Sequence, residues 1–353
     1  IVVNKNLKGQ FKKTFKKDDI LYSEIRPGNK RFAYIDFENT SNYIASTKLM
    51  VLRHNDKVLP EYLFALLKSN YVVDESQHLA ETRSGTFPQI TFSSELAPMK
   101  VFLPDKDTQK RIVSILSSIE QKIDENTAIN NNLEQQIEAV LLSFIENTNS
   151  NDVKLGDYLY IKGRIGWKGL KKEEYLEHSD YRIINGESLT KAGIDWSKAG
   201  YISQARYYES PEIMLQSGDI LLSKDGTIGK IGYIDSLSTP TTVASGIFVI
   251  RNLQPNIIST TFIYYLLKSR LFTAFIAART EGSVIPHLYQ KDFMQFEFPL
   301  PDKEEMANFE ELTAPMFSLI VSNLNENDRL MRIRDSLLPR LMSGELDVSD
   351  IDL

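Results

Sequence analysis

The sequence predicts an α+β protein: two globular α/β domains separated by two long helices that pair as an antiparallel coiled coil, arranged as a pseudo-two-fold internal repeat. Three observations predict it. First, four short motifs recur. Asp19-Ile20-Leu21 returns as Asp219-Ile220-Leu221, and Tyr34-Ile35-Asp36 as Tyr233-Ile234-Asp235. Leu66-Leu67-Lys68-Ser69 returns as Leu266-Leu267-Lys268-Ser269, and Leu103-Pro104-Asp105-Lys106 as Leu300-Pro301-Asp302-Lys303. The offsets are 200, 199, 200 and 197 residues, so the register drifts by only three. Second, each copy ends in a heptad pattern of apolar residues. Third, charge follows the same division. Residues 1–101 hold 15 Lys/Arg against 11 Asp/Glu, residues 102–151 hold 4 against 8, residues 152–300 hold 17 against 16, and residues 301–353 hold 5 against 12. The globular parts are neutral to basic and the helical parts acidic.

The first globular segment contains strand-like runs at Asp19–Ile25, Phe32–Phe37 and Lys48–Arg53, divided by the turn Arg26-Pro27-Gly28-Asn29. A helix is predicted at Pro60–Ser69, where Leu63, Leu66 and Leu67 share a face. A further strand-like end reads Met99–Leu103. The pattern then changes to a seam at Ile112, Leu116, Ile119, Ile123, Asn126, Asn130, Leu133, Ile137, Val140 and Phe144, with neither Gly nor Pro from Asp105 to Asn147. Thr108 reads as part of its N-terminal cap. Asn147-Thr148-Asn149-Ser150-Asn151 is polar punctuation.

The second globular segment repeats the scheme. Its clearest hairpin is Gly218–Asp235, turning at Asp225-Gly226, and Thr261–Leu271 repeats the apolar helix. A second seam follows at Phe309, Leu312, Met316, Ile320, Asn323, Asn327, Leu330, Leu337 and Leu341. At offset 197, Asn126 falls on Asn323 and Asn130 on Asn327. Asparagine in a seam weakens a coil but selects register, because a slipped partner leaves its amide unpaired. In an antiparallel pair the central asparagines of one helix meet those of the other. The expected organisation is 1–103, 104–148, 152–300, 301–346 and an acidic tail at 347–353. Since the second copy opens near Val153, about 47 residues of the first would precede Ile1, and the first domain is expected to be N-terminally truncated.

Composition excludes several function classes. At 353 residues the chain is long enough for two cores, and 42% apolar with 25% charged residues is ordinary for a globular protein. No apolar run approaches ~18 residues, so no membrane span and no membrane partner is expected, and no signal peptide is read at the lysine-rich start. Zero cysteines exclude disulfides and thiol chemistry and fit a cytoplasmic setting. The net charge of −6 is a poor guide to partners, because charges act within a Debye length of ~8–10 Å and local patches decide phosphate binding. No Asn/Asp-Pro-Pro-aromatic run and no Gly-x-Gly-x-x-Gly is present. Gly226–Ile231 only superficially resembles a P-loop. The four histidines (His54, His78, His178 and His287) show no metal-ligand spacing, so no catalytic residue, metal or cofactor is assigned to this chain.

Two segments carry a resemblance. The hairpin Gly218-Asp219-Ile220-Leu221-Leu222-Ser223-Lys224-Asp225-Gly226-Thr227-Ile228-Gly229-Lys230 and the helix end Leu337-Leu338-Pro339-Arg340-Leu341-Met342-Ser343-Gly344-Glu345-Leu346, in the order domain–helix–domain–helix, resemble the DNA-specificity (S) subunit of type I restriction–modification enzymes. The resemblance covers the whole chain except the expected missing N-terminal part. It implies that 1–103 and 152–300 are target recognition domains, each reading one half of a bipartite double-stranded DNA target, and that 104–148 and 301–346 are conserved spacer helices. It further implies docking of DNA adenine methyltransferase (modification) subunits on the coil, with a restriction motor-nuclease subunit joining through the complex. The chain itself would be non-catalytic, with S-adenosylmethionine, ATP and Mg on the partner subunits. The seam from Ile112 to Phe144 spans 32 residues, or ~48 Å at ~1.5 Å each, against ~34–36 Å between successive major-groove faces. The competing class is a coiled-coil scaffold with two protein- or glycan-binding domains.

Candidate DNA-contacting residues combine cations, hydroxyls and glycines in loops. In the second domain they are Lys162, Arg164, Trp167, Lys168, Lys171 and Lys172. The hairpin adds Lys224, Thr227 and Lys230, and a further loop adds Arg279, Thr280, Ser283 and His287. The first-domain counterpart of that loop supplies Arg83, Ser84, Thr86 and Gln89, with Arg26, Lys30 and Arg31 nearby. Gln89 and His287 fall at matched positions. Asn126, Asn130, Asn323 and Asn327 are expected to set coil register.

Overall fold

The computed structural model describes residues 2–3, 11–83, 86–148, 150–164, 169–280 and 287–348, with Val2, Val3 and Thr280 described by backbone alone. In chain order the first strands are β1 (Val2–Val3), β2 (Phe11–Lys13), β3 (Asp19–Ser23), β4 (Phe32–Tyr34), β5 (Tyr43–Ser46) and β6 (Leu49–Arg53). Helices α1 (Pro60–Lys68), α2 (Asn70–Arg83) and the 42-residue α3 (Lys106–Asn147) follow. Next come β7 (Asp152–Lys154), β8 (Leu159–Gly163), β9 (Tyr181–Ile184), β10 (Leu189–Thr190), β11 (Gly193–Ile194), β12 (Gly200–Ile202) and α4 (Gln204–Tyr208). Then come β13 (Ile220–Ser223), β14 (Ile231–Tyr233), β15 (Thr241–Val243), β16 (Ile247–Asn252), α5 (Thr260–Lys268), α6 (Arg270–Thr280), α7 (Gln290–Phe293), β17 (Glu297–Pro299) and α8 (Lys303–Ser343). The chain divides into two compact units, Ile1–Asp124 with Arg329–Leu353, and Glu125–Asp328, and both long helices run through both.

Each unit holds an antiparallel sheet built on the repeated Asp-Ile-Leu strand. In the first unit the order is β4-β3-β6; in the second it is β14-β13-β16-β8. The repeated aspartates explain the motif. Asp19 is fully buried, and its carboxylate takes both Nε and Nη2 of Arg53 at 2.6 Å plus the Lys16 backbone N–H at 2.8 Å. Asp219, equally buried, takes Arg251 at 2.6 and 2.8 Å and the Gln216 N–H at 2.7 Å. A buried carboxylate is tolerated only when its lone pairs are filled this way. Burial raises the pKa of Asp19, but the Arg53 fork and the Lys16 N–H outweigh it and hold the carboxyl below its usual range.

The repeated Leu-Leu-Lys-Ser joins two helices. Ser69 Oγ donates to Leu66 O at 2.6 Å and Ser269 Oγ to Leu266 O at 2.7 Å, so each serine closes one helix as the next begins. Thr261–Leu271 is therefore not one helix: α5 ends at Lys268 and α6 starts at Arg270. The lysines anchor each domain to α3, Lys68 on Glu120 at 2.8 Å and Lys268 on Glu134. Burial alone would lower the Lys268 pKa; Tyr264 and Glu134 outweigh it and raise it. The repeated Leu-Pro-Asp-Lys starts the long helices. Asp105 Oδ1 accepts the Thr108 N–H at 2.9 Å, and Asp302 Oδ1 the Glu305 N–H at 2.9 Å. The cap is thus Asp105, with Thr108 its partner three residues on.

Two further sequence expectations differ from the structure. Met99–Leu103 forms no strand. Its counterpart β17 is a strand because β7 pairs with it, and the described residues of the first unit place no such partner beside Met99–Leu103. In the second seam, Leu312 is 52% exposed and Thr313 is fully buried in its place. The step from Phe309 to Thr313 keeps the 4-3 alternation through Met316 and Ile320, and Thr313 Oγ1 back-bonds to Phe309 O at 2.8 Å, which removes the polar cost of burial.

The two helices pair antiparallel within each unit. In the second, Phe144 meets Phe309 edge-on at 5.8 Å, and Ile137, Leu141, Met306, Phe317 and Ile320 share one core. In the first, Ile112 and Leu116 share a core with Leu341 and Met342.

Candidate nucleic-acid interface

The same local construction occurs beyond the end of the central strand in both units. Ser23 Oγ accepts the Ile25 N–H at 3.2 Å, and Ser223 Oγ accepts the Lys230 N–H at 2.8 Å, so each serine shapes the exit from the sheet. A returning segment then crosses the strand end. Ile90 N donates to Glu24 O and Leu288 N to Lys224 O, both at 2.9 Å, and Ile90 and Leu288 are buried anchors. One residue earlier, Gln89 bridges Ile25 and His287 bridges Asp225. Both side chains are held by carboxylates: Gln89 Nε2 donates to Glu24 Oε2 at 3.1 Å, and His287 Nδ1 binds Asp225 Oδ1.

In the first unit this bridge sits beside a basic turn. Arg26 (φ 48°) and Lys30 (φ 52°) flank a single 3-10 turn, Pro27–Asn29, in left-handed conformations that side chains rarely adopt. The turn is tied down from two sides: Arg26 N donates to Pro88 O at 3.0 Å and Gly28 N to Gln77 Oε1 at 2.9 Å. Arg26, Lys30, Arg31 and Thr86 are exposed, and Lys30 Nζ reaches Asn70 Oδ1 at 3.1 Å. Arg83 is exposed but paired with Glu95 at 3.2 Å. Ser84 lies outside the described residues.

In the second unit, Lys224 and the 224–230 loop lie beyond the end of β13, while Lys162 is exposed near the end of β8 with its Nζ 5.9 Å from the Tyr160 ring. Lys224 Nζ lies over the Phe248 ring at 5.0 Å and beside Gly163, while Phe248 pairs with Gly163 across the sheet. The loop needs glycine at 226 (φ 65°) and 229 (φ 90°). Thr227 is exposed, and Lys230 Nζ donates to Gly186 O at 2.8 Å. Arg279 is exposed on α6, its guanidinium stacked 3.6 Å above the Phe275 ring. Lys171 and Lys172 are exposed on a separate 3-10 turn. Trp167, Lys168 and Ser283 lie outside the described residues, as does the side chain of Thr280.

Arg164 does not belong on this surface. It is 1% exposed, with Nε donating to Val243 O at 3.1 Å and Nη1 to Ser210 Oγ at 3.5 Å. Burial first, then Arg206, pushes its pKa down. A side chain so enclosed braces the sheet layer and cannot reach a phosphate. Conversely, Tyr289 was not anticipated. It is 56% exposed and packs edge-on against His287 at 4.4 Å. Its signal was the two-residue spacing from His287, which places both on one side of an extended segment.

The seam asparagines meet as pairs. Asn126 Nδ2 donates to Asn327 Oδ1 at 2.9 Å and to Glu326 Oε2 at 2.8 Å. Asn323 Nδ2 donates to Asn130 Oδ1 at 2.8 Å, and Asn130 Nδ2 to Ile320 O at 3.3 Å. All four are at most 7% exposed. Among the described residues no group of His, Cys, Asp and Glu could hold a metal ion, and no helix is long and apolar enough to cross a membrane.

Comparison with known proteins follows the same division. The family model described as the type I restriction modification DNA specificity domain matches residues 1–135 and 147–314. The HindI specificity subunit of Haemophilus influenzae is 30% identical over 416 aligned positions, covering 97% of this chain and 89% of its own. The MjaIX specificity subunit of Methanocaldococcus jannaschii is 25% identical over 318 positions, covering 84% and 71%. In fold, the chain is similar to the type I restriction–modification S subunit from M. genitalium, with a TM-score of 0.54 at 18% identity, covering 96% of this chain and 85% of that one.

Proposed function

The chain belongs to the type I restriction–modification DNA specificity family, and from that premise we propose how it divides its task. It is a DNA-recognition subunit. Residues 1–103 and 152–300 act as the two target recognition domains, each reading one half of a bipartite target. Residues 104–148 and 301–346 act as the spacer, docking adenine methyltransferase subunits, with the restriction motor-nuclease joining through the complex. The chain contributes no catalytic group of its own. S-adenosylmethionine, ATP and Mg belong to the partner subunits, and the assembly works in the cytoplasm. The alternative, a scaffold with two protein- or glycan-binding domains, finds no support in the family match.

The observation that carries this reading is the repeated strand-end bridge with different side chains on it. A common backbone presents Gln89 in one unit and His287 in the other, each oriented by a neighbouring carboxylate. Matched scaffolds with unmatched polar residues suit two half-sites of different sequence, since base edges are distinguished by donor and acceptor pattern. Around them, Arg26, Lys30, Arg31 and Thr86 in one unit and Lys162, Lys224, Thr227 and Arg279 in the other supply donors for phosphates.

The test is a domain exchange. Residues 152–300 are replaced by the matching segment of another family member, the complex is assembled with its methyltransferase subunits, and methylated adenines are mapped. One half of the target changes and the other stays. A change in both halves, or in neither, rejects the reading.

A further inference from the structure

The carboxylates at the two strand-end bridges decide which atom each unit presents. A carboxylate has no proton to give, so the group paired with it must donate. Glu24 Oε2 therefore takes the amide nitrogen of Gln89, Nε2, at 3.1 Å. Asp225 Oδ1 takes Nδ1 of His287, which places the proton of the neutral ring on Nδ1. The atoms left over are both acceptors: Oε1 of Gln89 and the bare Nε2 of His287. Among the described residues neither has a hydrogen-bond partner.

Neither side chain is free to turn over. Gln89 is half-buried, and Glu24 is itself held by Lys13 Nζ at 3.2 Å, so the carboxylate cannot follow the amide. His287, with 35% of its side chain exposed, is pinned on a second side by the Tyr289 ring at 4.4 Å. Reversing either group would set an acceptor against a carboxylate and forfeit the hydrogen bond. Anions on a surface that meets phosphates weaken binding. Their presence at both bridges is explained by this orienting task.

Resting on the DNA-reading role set out above, we propose that Gln89 and His287 each read an exocyclic amino group in the major groove, adenine N6 or cytosine N4. Guanine and thymine are rejected, because they show O6 and O4 at that place. Two acceptors brought face to face leave both unpaired once water is expelled, and discrimination arises from that cost. The two residues differ in a second respect. Gln89 keeps one amide N–H beside Oε1 and can add a bond to adenine N7, whereas His287 has no donor beside Nε2. The position read by Gln89 is thereby narrowed to adenine, and the position read by His287 admits adenine or cytosine.

The experiment uses the full chain assembled with its methyltransferase subunits, with methylated adenines mapped to give the base preference at every target position. His287→Lys replaces the acceptor by a donor. One position of the half-site read by residues 152–300 then shifts from adenine or cytosine towards guanine or thymine by about tenfold or more, and the other half-site is unchanged. Asp225→Asn offers Nδ1 either an oxygen or an N–H, so both tautomers fit and the preference at that same position relaxes. His287→Gln keeps an acceptor and keeps the preference. A merely structural role would lower methylation of all sequences alike without moving the preference, and that result overturns the proposal. An unchanged preference in Asp225→Asn also overturns it, and decides the matter if His287→Lys methylates nothing. Such failures leave the domain exchange as it was: an exchange of residues 152–300 that moves no half-site removes the DNA-reading assignment itself.

Discussion

Replacing Asn323 by alanine tests whether the seam asparagines act as a pair. Asn130 and Asn323 are each 6% exposed, and the Asn323 amide gives its Nδ2–H to Asn130 Oδ1 at 2.8 Å. Asn323→Ala leaves that oxygen buried without its donor, which costs about 1–3 kcal/mol on top of lost packing. Asn130→Ala strands the Asn323 amide and also removes the bond to Ile320 O, so it costs at least as much. The double alanine variant removes donor and acceptor together. Its destabilisation falls short of the sum of the singles by a coupling of about 0.5–3 kcal/mol. Asn130→Leu/Asn323→Leu goes further: with no polar atom left to satisfy, stability is equal to wild type or higher. The cost moves to register, since a leucine pair no longer penalises a slip. Urea unfolding of the four variants and wild type measures the cycle. Additive single-variant losses, or a leucine pair as unstable as either alanine single, would refute the pairing argument.

Other perturbations have equally definite outcomes. Arg251→Ala leaves Asp219 fully buried and unpaired and costs on the order of 3–5 kcal/mol; Arg53→Ala costs less, because Arg53 is 52% exposed against 27% for Arg251 and water replaces it more readily. Thermal unfolding of both that showed equal losses would contradict this. For Asp19, the folded pKa lies below the unfolded one, so its contribution is present at neutral pH and is lost as pH falls through the folded value. The stability gap between wild type and Asp19→Asn should narrow as pH is lowered from ~5; a gap that widens would reverse the sign. Shortening α3 and α8 by one heptad each removes ~10.5 Å of rod and should shorten the DNA spacer by ~3 base pairs, read by methylation mapping. Arg279→Ala should weaken DNA binding by the assembled complex and reduce the salt slope by about one; an unchanged slope takes this arginine off the phosphates.

The candidate interface was legible in the sequence only where local geometry decided it. The Asp225-Gly226 turn, the basic turn at Arg26–Arg31 and the matching of Gln89 with His287 all follow from short-range signals, namely glycine, proline and a constant offset. Arg164 shows the limit. It stands in a run of lysines and glycines, yet its side chain turns under Val243, a strand 79 residues away. Exposure of a cation depends on what folds over it, and nothing in the neighbouring residues reports that. Leu312 is the helical version of the same limit. Apolarity favoured it over Thr313, but the phase of the partner helix selected Thr313, whose hydroxyl finds its acceptor one turn back.

By itself the sequence determined the internal repeat, the two long seams with their asparagines, and the strand–helix order of each half. These rest on periodicity and on residues whose backbone preferences act within a few positions. Only the tertiary structure decided what the repeated motifs do: the aspartates are buried and each takes an arginine fork, the serines close one helix against the next, and the lysines tie each half to α3. The physical reason is that burial and pairing are properties of surfaces brought together from distant parts of the chain, and a residue's own neighbours in sequence carry no record of them.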